Sequence, residues 1–226
     1  MVGNPEFKDR NEAGELLAKA LLNSGVENPV ILAMPRGGVP VAARIADALG
    51  APLDLVFVRK IGAPGQPELA LGAVVDGDTP QIVVNDDVAT AFGIRDAQVQ
   101  AMAEPLLVEI EHRRKSYLTG HAPLPVAGKS AILVDDGIAT GASIKAAIEA
   151  LRARDVRKII VAVPVAPSDA LGELEALADD VVCLSSPEPF LAVGAAYQQF
   201  PQTSDQEVIA LMQRLGQLET RRTADA

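Results

Sequence analysis

The chain has 226 residues, of which 49% are hydrophobic and 22% charged, enough apolar sequence for the core of one α/β domain spanning 1–226. Its formal charge of −10 opposes general attraction to nucleic acid or to an anionic membrane surface, since both reward lysine and arginine. No apolar run approaches the roughly 20 residues needed to span a bilayer, and the start MVGNPEFKDRNEAG lacks the basic-then-apolar order of a secretory signal, so a cytoplasmic location is expected.

From the N-terminus, a helix is predicted over Arg10 to Asn23. Asp9 and Glu12 have capping-box spacing, Leu16, Leu17, Ala20 and Leu21 share a face, and Gly25 follows. The aliphatic run VILAM at 30–34 reads as a buried strand. It leads into PRGG, where Arg36 offers a planar fork to phosphate oxygens, Gly37 and Gly38 free the backbone, and Pro40 suits a first helical turn. A tight turn carrying a surface arginine is the alternative. Ala42, Ile45, Ala46 and Leu49 then recur at helical spacing. After a strand at 53–58, LDLVFV, the segment VRKIGAPGQPELALGAVVDGD sets Arg59 and Lys60 at a strand end before a glycine- and proline-rich stretch. It reads as a flexible lid over about 59–80 that brings positive charge to a polyphosphate, with an ordinary hairpin as the alternative.

QIVV at 81–84 is a further strand, and a polar helix from about Arg95 to Tyr117 is predicted to kink or break at Pro105. Its basic end, HRRK at 112–115, complements the helix dipole. Neither His112 nor His121 has a serine or cysteine motif beside it, and no catalytic role is assigned to them. AILV at 131–134 is followed by VDDGIATGAS and then by Ile144, Ala147, Ile148 and Leu151 at helical spacing; KIIVAV at 158–163 and VVCL at 181–184 complete the strands. The lone Cys183 excludes an internal disulfide and reads as a buried small hydrophobe. Strand alternating with helix means α/β: a mostly parallel, Rossmann-like central sheet flanked by helices. A last helix starts at Ser204, with Glu207 in capping position and Val208, Leu211, Met212 and Leu215 on one face, and the tail 220–226 is expected to be loose.

The chemistry concentrates at VDDGIATGAS, because ligands of open α/β sheets collect where strand ends lead into helix N-termini. Gly137 and Gly141 admit a close ligand, the backbone N–H groups at the helix start suit a phosphate, and Thr140 and Ser143 add hydroxyl donors. Asp135 and Asp136 beside a phosphate would repel it unless they accept hydrogen bonds from hydroxyls of the same molecule. A phosphorylated sugar with a vicinal diol, a ribose 5-phosphate moiety, meets both demands. No G-x-G-x-x-G follows a strand and no G-x-x-x-x-G-K-[ST] loop is present, which argues against an α/β phosphatase or a dinucleotide dehydrogenase.

ILVDDGIATGAS resembles the signature of the type I phosphoribosyltransferases, and LAMPRGGVPVA, RKIGAPGQPELALGAV and PEPFLAVGAAYQQFPQTSDQEV extend the likeness to a bacterial branch over most of the chain. The resemblance implies that the enzyme uses phosphoribosyl pyrophosphate with Mg²⁺ to transfer phosphoribosyl to a nucleobase or other nitrogen nucleophile. Asp135 and Asp136 would bind the ribose hydroxyls, and Gly137, Ile138, Ala139, Thr140 and Gly141 with Ser143 the 5-phosphate. Arg36, Gly37 and Gly38 would form the pyrophosphate loop, which in this family often carries an unusual cis peptide. Arg59 or Lys60 would meet the pyrophosphate from the lid, and Mg²⁺ would arrive on the pyrophosphate without a direct protein ligand set. A hood from about 185–204 would receive the acceptor, with Phe190, Tyr197 and Phe200 as candidates to stack on it; anchoring that segment to the core is their alternative role. Ala139 stands where several purine-using relatives carry threonine or a similar donor, so no particular base is inferred. A homo-oligomer is expected, and a non-catalytic sensor of a phosphoribosyl ligand is the alternative function.

Overall fold

Aliphatic runs bounded by turn residues become strands here because both faces can be covered, and the central sheet shows that arrangement. The computed structural model describes residues 6–77, 80–118 and 123–224, the side chains of Glu68 and of 217–224 excepted. Five parallel strands lie in the order β2 (Leu53–Leu55), β1 (Pro29–Ala33), β6 (Ser130–Val134), β7 (Lys158–Val165) and β8 (Asp180–Ser185). The register aligns Ile31 with Ile132 and Ile160, and Val30 with Ala131 and Ile159. Successive residues point to opposite faces, so these rows divide the core in two. Ile31, Ile132 and Ile160 pack with α1 (Arg10–Leu22), α2 (Gly38–Leu49) and α7 (Asp205–Ala224); Val30, Ala131 and Ile159 pack with α5 (Ala142–Arg152) and α6 (Ser168–Glu175).

A second sheet is antiparallel: β3 (Val58–Ala63), β4 (Gln66–Val75) and β5 (Gln81–Val84). The sequence run 53–58 therefore splits between two sheets, and QIVV is an edge strand of the smaller sheet instead of a strand of the parallel one. The segment expected as a lid is the β3–β4 hairpin, closed at Pro64 and Gly65; residues 78–79 of that expected range lie outside the described residues. Proline followed by a glycine at φ +74° suits a tight turn of this kind.

Three local expectations are corrected. The buried face of α1 is Ala13, Gly14, Leu17, Ala18 and Leu21, whereas Leu16 is 38% exposed. Asp9 caps this helix by accepting from the N–H groups of Asn11 and Glu12. Helix α4 (Asp96–Tyr117) runs unbroken through Pro105, which lies on its exposed side, where solvent can satisfy the carbonyl that loses its donor. Cys183, on the edge strand β8, is half-buried, with Sγ donating to the Ser185 carbonyl at 3.1 Å. A short α3 (Asp86–Phe92), capped by Asn85, precedes α4. Ser204 caps α7, its Oγ accepting from Glu207 N–H at 3.2 Å, and the helix continues past Thr220 to Ala224; residues 225–226 and His121 lie outside the described residues.

No described helix is long and apolar enough to cross a membrane. A buried ion triad joins the two sheets. Arg114 of α4 reaches both oxygens of Asp54 at 2.6 and 2.7 Å and Asp76 at 2.7 Å. Burial raises the Asp76 carboxyl even with Arg114 beside it, so this triad is held by geometry at an electrostatic cost.

Candidate functional site

Strands β1 and β6 are neighbours, so the loops at their carboxyl ends lie side by side. Ala33 pairs with Val134, and Met34 N–H donates to the Val134 carbonyl at 2.9 Å. The PRGG loop then crosses the aspartate loop with no room for side chains. A Cβ on Gly37 would lie 2.1 Å from Asp136 Oδ2, and one on Gly38 would lie 2.7 Å from the Val134 carbonyl oxygen. The peptide between Pro35 and Arg36 is cis.

Beyond Val134 the strand alternation ends. Asp135 Oδ1 accepts from Asp136 N–H at 2.8 Å, Gly137 takes φ +154°, which favours glycine, and Ile138 N–H donates to the Val165 carbonyl at 2.8 Å. Ile138 is buried and its N–H is already used, so of the expected phosphate loop it serves as the anchor to β7. Ala139, Thr140 and Ser143 are grouped around Gly141, from which α5 starts. The first N–H groups of a helix have no intrahelical acceptor, and here they open on the same loop.

Two cavities meet at Asp135 and Pro35, which line both. The larger, about 520 Å³, runs from Arg36, Gly37 and Asp136 to Arg10, Phe200 and Gln202. The smaller, about 170 Å³, lies between Phe57, Arg59, Arg113 and Ser143. Withdrawal from water, and then the neighbouring Asp136, raise the Asp135 carboxyl well above the usual carboxylate range. Arg36 pairs with Asp205 at 3.3 Å. The Tyr117 hydroxyl, donating to Asp205 at 2.5 Å, lowers that carboxyl, and Arg36 acts in the same direction. Glu109 stands between the cations of the smaller cavity, 3.1 Å from Arg59 Nε and 3.5 Å from Arg113 Nε.

The structure thus brings together Arg36, Gly37, Asp135 and Asp136 in one cavity and Asp135, Arg59 and Ser143 in the other. Lys60, one residue further along β3, is exposed and lines neither. Tyr197, a candidate for stacking on the acceptor, is 5% exposed, with its ring centroid 4.8 Å from Phe200 and 5.5 Å from Phe7. It anchors the 185–204 segment to the core, and its hydroxyl donates to the Asp136 carbonyl at 2.6 Å; burial first, and Asp136 second, raise its phenol. Phe190 is half-buried against the same cluster and lines neither cavity. Phe200 is the aromatic that reaches the larger one.

Two arginines of the site carry no role in the sequence reading. Arg113 belongs to HRRK, a basic cluster legible in the sequence but explained there by the helix dipole. Arg10 has no such signal. It is the first residue of α1, and its Nε donates to Asp136 Oδ2, 126 positions away, at 2.7 Å. Among the described residues no cluster of three or more His, Cys, Asp or Glu side chains is placed to hold a metal ion.

The phosphoribosyl transferase domain family matches residues 6–199. The chain belongs to this family. Two Mycobacterium tuberculosis proteins, each named "putative phosphoribosyl transferase", are 44% identical to it over 208 residues, 92% of this chain and 46% of theirs. The chain therefore spans about half the length of these relatives. The crystal structure of TT1426 from Thermus thermophilus superposes with a TM-score of 0.83 at 41% identity, covering 93% of this chain and 99% of that one. The matched span includes both loops at the meeting point of the two cavities, where the aspartate loop lies against a glycine turn that carries an arginine.

Proposed function

We propose that the protein binds phosphoribosyl pyrophosphate with Mg²⁺ and transfers the phosphoribosyl group to a small nitrogenous acceptor. The observation that supports this best is the apposition, on neighbouring strand ends, of two loops of opposite chemistry: Asp135 and Asp136 for hydroxyls, Arg36 with Gly37 and Gly38 for an anion. In this reading the α5 N-terminus, Thr140 and Ser143 hold the 5-phosphate, and the two carboxyls accept from the ribose 2- and 3-hydroxyls. Arg36, Arg59 and Arg113 surround the pyrophosphate, and Lys60 approaches from β3.

The acceptor nitrogen forms a bond to the anomeric carbon, the bond from that carbon to pyrophosphate oxygen breaks, and the bonding pair leaves with pyrophosphate. The proton on the acceptor nitrogen is released. Arginines placed around the leaving group favour this separation of charge, and the Asp136 carboxylate favours the positive charge that develops on the ribose. Mg²⁺, when bound with the substrate, offsets pyrophosphate charge; the oxygen-rich substrate suits a hard cation that keeps few protein ligands. The hood residues and the β3–β4 hairpin limit water around the reacting carbon.

The test is calorimetric titration with phosphoribosyl pyrophosphate and Mg²⁺, beside the Asp135→Asn, Asp136→Asn double variant. Binding by the wild type alone, followed by pyrophosphate release with one member of a panel of nucleobases and amines, is the expected outcome. Failure of the wild type to bind would overturn the reading. Binding without pyrophosphate release from any acceptor would favour a sensor on the same site.

A further inference from the structure

Asp136 is a site carboxylate held by a buried cation from a distant helix. Arg10 Nε meets Asp136 Oδ2 at 2.7 Å, and the two side chains are only 10% and 15% exposed. The guanidinium is fixed on two further sides: NH1 donates to the Pro201 carbonyl at 2.7 Å, and its carbon lies 3.8 Å from the Phe200 ring centroid. Three contacts of different kinds define one orientation, so this arginine is a fixed wall of the cavity and not a free-swinging side chain. On its other flank the carboxyl abuts Gly37, where a methyl group has no space. The charged and titratable groups facing it are Arg10 from α1, Asp135 beside it, Arg36 from the β1–α2 loop and Tyr197, whose hydroxyl holds the Asp136 carbonyl.

We propose that Arg10 is a positioning residue that occupies Asp136 Oδ2 and so presents Oδ1 to one hydroxyl of the ribose diol. The inference rests on the phosphoribosyl reading of this site and adds to it how the diol acceptor is oriented. A short carboxylate on a loop has two rotatable bonds, and the contact with Gly37 bounds one flank only, so a fixed cation on the other flank selects one orientation before the ligand arrives. The same fork ties the diol site to the chain's C-terminal third, because its other contacts are Phe200 and the Pro201 carbonyl. The N-terminal helix and the hood segment are therefore both required for one carboxylate to be correctly aimed.

The test compares wild type, Arg10→Met and Arg10→Lys by calorimetry with two probes, phosphoribosyl pyrophosphate with Mg²⁺ and pyrophosphate with Mg²⁺. Arg10→Met is expected to weaken phosphoribosyl pyrophosphate binding by about tenfold or more while leaving pyrophosphate binding within about twofold, because only the first probe carries the diol. Arg10→Lys keeps the charge without the fork, cannot serve all three partners, and is expected to fall between them. If Arg10→Met fails to fold, the same split between the probes in Arg10→Lys carries the test. Equal weakening of both probes would reduce Arg10 to a structural role, and unchanged or tighter phosphoribosyl pyrophosphate binding would also overturn the proposal. A wild type that binds pyrophosphate but not phosphoribosyl pyrophosphate would overturn the phosphoribosyl reading itself, and this inference with it.

Discussion

Gly37 shows how little freedom the site leaves to a single residue. A methyl group there would sit 2.1 Å from Asp136 Oδ2 and 2.5 Å from its Cγ, so Gly37→Ala must displace the carboxyl or the loop. The expected result is a loss of about 1–3 kcal/mol in denaturant unfolding, the usual cost of overpacking, together with at least tenfold weaker phosphoribosyl pyrophosphate binding by calorimetry. Asp135 makes the opposite trade. Its carboxyl is raised well above the ordinary aspartate value of about 3.9, so between that value and its raised folded-state value the folded state binds more protons than the unfolded state and stability falls as pH rises. Asp135→Asn keeps an acceptor for Asp136 N–H and removes that titration. It is expected to raise the melting temperature at pH 7 by roughly 2–4 °C, flatten its decline as pH rises above about 4, and abolish ligand binding. A melting temperature that falls at pH 7 would contradict this account. That acids followed by a glycine loop suit a sugar phosphate is legible in the sequence; that Asp136 also meets Arg10 is not, because no local pattern links residues 126 positions apart.

Helix α4 supplies two adjacent arginines with separate tasks, set by which side of the helix each occupies. Arg114 faces inward to Asp54 and Asp76, whereas Arg113 reaches the smaller cavity and shares Glu109 with Arg59. Removing Arg114 leaves two buried carboxylates without their cation, and Arg114→Met is expected to cost about 3–5 kcal/mol in chemical unfolding. Glu109 is 46% exposed, so its pairs with the arginines contribute little to stability. Its effect belongs to the ligand: Glu109→Gln removes the carboxylate that both arginines share and is expected to tighten pyrophosphate binding, with a gain that shrinks as ionic strength rises. Unchanged affinity at low salt would exclude these arginines from the anion site. The basic run of HRRK announces positive charge, but its division into a structural and a site arginine depends on the helix's rotation against its neighbours.

At the scale of the whole molecule, the N-terminal segment pairs with the 185–204 segment beside the candidate site. Phe7 pairs with Tyr197 through an isolated bridge, Glu6 and Phe7 N–H groups donate to the Ala196 carbonyl, and Gln198 N–H donates back to the Phe7 carbonyl. Phe7 is 3% exposed, so Phe7→Ala is expected to cost about 3 kcal/mol and to weaken ligand binding as well, since Tyr197 holds the aspartate loop. Thermal unfolding with and without phosphoribosyl pyrophosphate checks both effects. At a hundred times the dissociation constant the ligand is expected to stabilise the wild type by about 2.7 kcal/mol, and the variant by less at the same concentration.

The sequence by itself determined the elements whose signals are local. Aliphatic strands, capped amphipathic helices and the ILVDDGIATGAS motif each depend on spacing within one short segment, and they suffice for the α/β class and for the position of the candidate site. The tertiary structure decided what depends on partners far along the chain. It placed QIVV in the smaller sheet, because strand propensity does not specify a neighbour. It carried α4 through Pro105, because that residue faces solvent, and it buried Tyr197 among Phe7 and Phe200 instead of leaving its ring to an acceptor. It also put Arg10 on Asp136, a contact created only when the first helix and the segment around Pro201 come together at the ends of the parallel strands.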